Sequence, residues 1–203
     1  MANERRGAAP GTGLVVLPLF IGLTLAACVI AGVFGICHDQ LTYTLSEEYY
    51  TKFKFIQFGI AQAQRNRLGV AEVGWLASWW VGLILGCVLV PFAVRLRGLP
   101  RIIGRALIAF ALVVVVAALS GAEGLLYAMT MADIPHEIVR YQQPIHDVRH
   151  FFWVGSMHNL SYMGALLGMV VAVVYLCWVE REDRRSTASR PARVKQSAEA
   201  VEG

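Results

Sequence analysis

Residues 75–97 read WLASWWVGLILGCVLVPFAVRLR, with Trp75, Trp79 and Trp80 at one end and Arg95 and Arg97 at the other. An apolar run of this length, wound at about 1.5 Å per residue, covers the roughly 30 Å of bilayer hydrocarbon. Tryptophans gather at the membrane–water interface and arginines mark the cytoplasmic end. The stretch therefore predicts a membrane helix of known direction, entering from the outer face and leaving into the cytoplasm.

Three further runs of the same kind flank it, and the expected helices are about 14–36, 75–94, 103–131 and 152–178. The first follows Arg5 and Arg6 and contains Leu25-Ala26-Ala27-Cys28, which has the look of a lipoprotein signal. The chain stays apolar after Cys28, whereas a cleaved signal gives way to polar mature sequence, so an uncleaved helix is expected. Lys and Arg number 12 in the N-terminal tail, the Arg95–Arg105 loop and the C-terminal tail, against 6 in the other two loops. The positive-inside rule then puts both termini in the cytoplasm. The predicted fold class is an all-α, four-helix membrane bundle (1–185) with a partly ordered outer loop and a disordered cytoplasmic tail (186–203).

Composition agrees. Hydrophobic residues make up 57% of the 203 and charged residues 16%, with a mean hydropathy of +0.55; a soluble domain carries about 25% charged residues. The net charge of +4 sits where topology needs it and forms no basic stripe interleaved with aromatics, so nucleic acid is excluded as a partner. Cys28, Cys37, Cys87 and Cys177 form no CxxC pair, which removes a thiol-oxidoreductase motif. Met157, Met163 and Met169 lack a repeated motif and read as packing residues.

Two outer segments remain. In Cys37–Ala71, Thr42, Thr44 and Ser46 alternate with Tyr43 and Leu45, suggesting short extended pieces; alternatively Ser46 caps a helical turn at Glu47 and Glu48. Its six aromatics predict that it lies on the helix ends or the lipid headgroups. In Ala132–Phe151, Pro144 is the expected first residue of a helical extension carrying His146 and His150 on one face.

Measuring depth from the cytoplasmic ends brings a set of polar residues to one level. Glu123 lies 18 residues above Arg105 and His158 lies 20 above Trp178, or ~27 and ~30 Å. His38 and Asp39 follow the first run and Glu72 precedes the second. Ser120, Glu123 and Tyr127 share one helix face, as do His158, Ser161 and Tyr162. Charged groups near hydrocarbon turn inward to find partners, so these stripes are expected to meet.

Imidazoles and carboxylates converging from several helices are donors for a transition metal. His38, Glu123 and His158 are the expected core ligands, with Asp39, Glu72, His146 and His150 as additional groups. A haem b held by two histidines, such as His38 and His158, is the rival cofactor. A helix-fastening polar network is the bland alternative, with His136, His146 and His150 as solvated loop residues. Glu123 as the carboxylate of a transport pathway ranks last, because no polar groups continue toward the cytoplasm. Gly82-x-x-x-Gly86 and Gly164-x-x-x-Gly168 predict close helix packing or self-association into a homo-oligomer. The sequence favours a structural or accessory component of a membrane complex, with a metal- or haem-binding oxidoreductase or metal-handling protein as the alternative.

His38-Asp39-Gln40-Leu41-Thr42-Tyr43-Thr44-Leu45-Ser46-Glu47-Glu48-Tyr49-Tyr50-Thr51-Lys52-Phe53-Lys54-Phe55 resembles a segment of uncharacterised bacterial four-helix membrane proteins, where it also follows a first transmembrane helix. The resemblance covers under a tenth of the chain. It implies a bacterial inner (cytoplasmic) membrane location, with the polar layer facing the periplasm, and carries no activity with it.

Overall fold

The computed structural model describes residues 12–132, 134 and 144–202, with side chains described between 16 and 185 of these. Four long helices dominate: α1 (Thr12–Leu45), α2 (Arg67–Ala93), α3 (Leu99–Thr130) and α4 (Val148–Glu202). No strand occurs among the described residues, and each helix holds a segment long and apolar enough to span a bilayer. The chain is a multi-pass membrane protein built as an all-α bundle.

α1 packs on α2 and α3 on α4, with looser contact between the two pairs. Lipid supplies no hydrophobic drive between helices, so close backbone approach must come from small residues. A Cβ on Gly35 would collide with the Gly74 carbonyl, and one on Gly82 with the backbone of Ala27 and Cys28. Gly164 and Gly168 likewise seat against Ser120, Ala117 and Val113 of α3. Both GxxxG faces are thus spent on packing within the chain. The bundle core between the pairs is aliphatic, centred on Leu85, Leu89, Phe110, Val113 and Leu176.

The helices outrun their expected ends. α1 has 34 residues, about 51 Å, so it projects well beyond a ~30 Å hydrocarbon layer. His38 and Asp39, expected to follow the first helix, lie inside it. Thr42 and Thr44 turn their hydroxyls onto the carbonyls of His38 (3.1 Å) and Gln40 (3.0 Å), so the helix absorbs the polar residues. Arg67, at the start of α2, donates to the Gln40 carbonyl and to Thr44 Oγ1 and lies 5.1 Å from the Tyr43 ring. These contacts hold as helix a segment whose alternation suggested strands. At the other end, α4 continues as helical backbone through the segment assigned to a tail.

Ser46 ends α1 and caps the turn Glu47–Tyr49, accepting from the Tyr49 amide at 3.3 Å. A π-turn (Tyr50–Lys54) and two further short turns complete the connection to α2, which Asn66 caps through Leu68 N and Gly69 N. The aromatics of this connection do lie on the helix ends. Tyr49, Tyr50, Phe55, Ile60, Val70, Val73, Phe151 and Val154 form a second core at the end of the bundle where α1 is joined to α2. Tyr50 and Phe55 are fully buried, and burying such a side chain away from water stabilises by about 1.5–3 kcal/mol.

α4 begins at Val148, after Pro144. Its cap is Asp147, whose carboxylate accepts from the His150 amide at 3.1 Å. His146 therefore precedes the helix and does not share a face with His150. The Glu48 carboxylate accepts from the amides of His146 and Asp147 (2.7 Å to Asp147), clamping the start of α4 to the outer cap. His136 and its neighbours 135–143 fall outside the described residues.

Candidate metal site

The buried stripe of α1 runs Ala27, Ala31, Gly35, Asp39, Thr42, at helical spacing. That of α4 runs Phe151, Val154, His158, Ser161, then Ala172, Leu176 and Val179. Asp39 and His158 are therefore carried inward by the same periodicity that buries the apolar residues. Asp39 is 3% exposed and His158 4%.

Three donors converge here. His38 Nδ1 stands 3.6 Å from Asp39 Oδ1, and His158 Nε2 stands 3.9 Å from the same oxygen. One ligand atom from each of the three residues lies within 4.8 Å of the other two. These separations are too long for hydrogen bonds. The 3.6 and 3.9 Å separations are close to the spacing of two ligands on one ion, about 3.4 Å for tetrahedral bonds of about 2.0–2.1 Å.

The surroundings fix the rings. Ser161 Oγ lies 3.2 Å from His38 Nε2, which leaves Nδ1 as the nitrogen turned toward Asp39. Tyr49 stacks on His158 with ring centroids 5.1 Å apart and planes 13° apart. Thr42 Oγ1 is 3.4 Å from His158 Nε2 and 2.6 Å from the Tyr50 hydroxyl, which also donates to the Asp39 carbonyl at 3.1 Å. Asp39 Oδ2 is buried and has no hydrogen-bond partner among the described residues. A buried unsatisfied carboxylate oxygen is costly, and an ion bound at Oδ1 would also draw on Oδ2 if the carboxylate held it through both oxygens.

Lys54 completes the layer. It is 5% exposed, with its ammonium 5.5–5.9 Å from the Phe53, Phe58 and Tyr49 rings. Burial pushes its pKa down, and the negative charge of Asp39 works against that shift. Burial, followed by the charge of Asp39, pushes the Tyr50 phenol up, so it stays a neutral donor. Thr42, Tyr50 and Lys54 were missed by sequence reading. Only the stripe that Thr42 shares with Asp39 signalled any of them.

Not every expected residue joins. Glu123 is exposed on α3 and Tyr127 is 55% exposed, while Ser120 is half-buried against α4. The face of α3 turned to α4 is instead Ala117, Gly121, Gly124 and Ala128. A Cβ on Gly124 would strike the Ser156 carbonyl, so the small-residue face must form the seam and the Glu123 face turns away. Glu72 is exposed on α2. His150 is engaged with Asp147 at 2.7 Å, and His146 is exposed. That pairing, led by the His150 amide, pulls the Asp147 carboxyl below the ordinary range. Of the expected set, His38, Asp39 and His158 meet; Ser161 bonds to the group, and Tyr162 lines the cavity beside it.

That cavity measures about 60 Å³ and extends inward from the three donors between the helix pairs. The His38 and His158 rings contact edge to face, with centroids 4.7 Å apart. No macrocycle fits between rings so placed, so the two histidines do not form a haem pair in this arrangement.

No protein-family model, curated protein or solved structure matches this chain.

Proposed function

We propose that this protein binds a divalent transition-metal ion at His38, Asp39 and His158, on the outward-facing side of a bacterial inner membrane. The carrying observation is the convergence of three donor atoms within 4.8 Å, on a carboxylate whose other oxygen has no partner among the described residues. Two neutral imidazoles and one carboxylate suit iron, zinc or copper better than calcium or magnesium. Ser161 holds the far nitrogen of His38, as outer partners orient metal-bound histidines. The orientation rests on the Lys and Arg asymmetry and the bacterial location on the resemblance of the outer segment.

Metal content of protein purified without chelator tests the reading. Wild type retains close to one equivalent, and Asp39→Asn or His158→Ala loses it while remaining helical and monodisperse. Wild type without metal, and unable to take it up on dialysis against Fe(II), Zn(II) or Cu(II), would sink it.

A second reading has its own observation. Thr42 and Ser161 hydroxyls approach the imidazoles at 3.4 and 3.2 Å, so the group also ties α1 to α4 as a polar fastening. Beneath the aromatic outer cap, such a fastening serves an accessory subunit of a membrane complex. Unchanged thermal unfolding in a Thr42→Val, Ser161→Ala double variant, which removes both hydroxyls, would count against it.

A further inference from the structure

We infer that the site takes a small uncharged diatomic molecule of the dioxygen class, delivered from the hydrocarbon of the bilayer. This rests on the metal reading above and adds the ligand and its route.

The donor set is the first reason. Two histidines and one carboxylate are the protein ligands of non-haem ferrous centres, which keep coordination positions open for a diatomic. Space is the second. The adjoining cavity of about 60 Å³ is well under the about 150 Å³ that accommodates benzene in an apolar protein cavity. It has room for a molecule of two heavy atoms. Polarity is the third. Away from the donors the walls are mainly apolar, with Ala31, Val81, Leu85, Val113 and Ala117 beside Ser78 and Tyr162, and offer an anion or hydrated ion little in exchange for its water.

The route follows from a neighbouring groove. An apolar depression of about 310 Å³ lies between α2 and α4, with Trp80, Ile84 and Leu166 exposed along it. Val81, Leu85, Tyr162 and Ala165 line both this groove and the cavity. One layer of side chains therefore separates the metal-site cavity from the membrane-facing surface, on the seam where the helix pairs contact less closely. Small apolar gases concentrate in hydrocarbon relative to water, so this wall faces their larger reservoir.

Nitric oxide is a stable stand-in for dioxygen, since it adds to ferrous iron as a ligand without further chemistry. Full-length protein is loaded anaerobically with Fe(II), exposed to nitric oxide, and read by the quartet EPR signal of a ferrous nitrosyl and by stopped-flow absorption. Val81→Phe and Ala165→Phe fill the shared wall from two different helices. The expected result is a nitrosyl signal matching the iron content, with association slowed in both variants and their iron content unchanged. Iron retained without a nitrosyl overturns this inference and leaves the metal reading standing. Folded wild type that retains no iron overturns both. Undiminished association in both iron-loaded variants overturns the hydrocarbon route.

Discussion

Asp39 shows how one residue is held in two roles. Its backbone carbonyl receives the Tyr50 hydroxyl, and its side chain faces His38 and His158. Tyr50→Phe removes the hydroxyl that joins Thr42 to that carbonyl. A buried hydrogen bond contributes about 0.5–1.5 kcal/mol, so thermal unfolding in detergent should shift by about that amount. At the start of α4, Asp147→Ala removes the cap and should cost about 1 kcal/mol. The folded-state pKa of Asp147 is lowered, so its stabilisation is present above the unfolded value of about 3.9 and is lost as pH falls through the folded one. The protection of the His150 amide, its exchange rate divided into the intrinsic rate at the same pH, should fall over that acid range in wild type and stay constant in Asp147→Ala. Asp39, His38 and His158 were legible because depth along a helix follows from counting residues. Glu123 was misjudged because depth does not say which way a side chain faces. Lys54 was invisible, since its burial depends on a π-turn no local pattern announced.

At the level of elements, two kinds of packing meet in one chain. Within the membrane the seams are small-residue contacts, and Gly35 against Gly74 is the tightest test of them. Gly74→Val drives a branched side chain into the α1 backbone, and overpacking of this kind costs about 1–3 kcal/mol. The variant should melt lower, and its metal content should fall as α1 is displaced; unchanged melting would show that the seam is not close-packed. Outside the membrane the aromatic cap buries Tyr50 and Phe55 by the ordinary hydrophobic effect. The helices themselves were legible as long apolar runs. Their outer ends were not, because α1 and α2 extend past the hydrocarbon on Thr–carbonyl and Arg67 contacts that form only after the chain folds.

For the whole molecule, the bundle is a pair of pairs. Each pair is fastened by its own small-residue seam, and the site bridges them because α1 supplies two donors and α4 the third. At the opposite end, Arg95 and Arg101 reach Glu180 and Asp183 of α4 at 3.9 and 2.7 Å. That end is the one the charge asymmetry assigns to the cytoplasm. A reporter fused after Gly203 should fluoresce as a cytoplasmic fluorescent protein and stay inactive as a periplasmic phosphatase; the reverse pattern would invert the topology and turn the site inward.

The most direct measurement is a Co(II) titration of metal-free protein in detergent, followed by the visible ligand-field bands. Wild type should saturate at one equivalent. Loss of an outer partner costs about 10–100-fold in metal affinity, so Ser161→Ala should weaken binding within that range and Asp39→Asn by more. A wild-type titration with no saturable band, or one that Asp39→Asn leaves unchanged, would contradict the assignment of His38, Asp39 and His158 as a metal site.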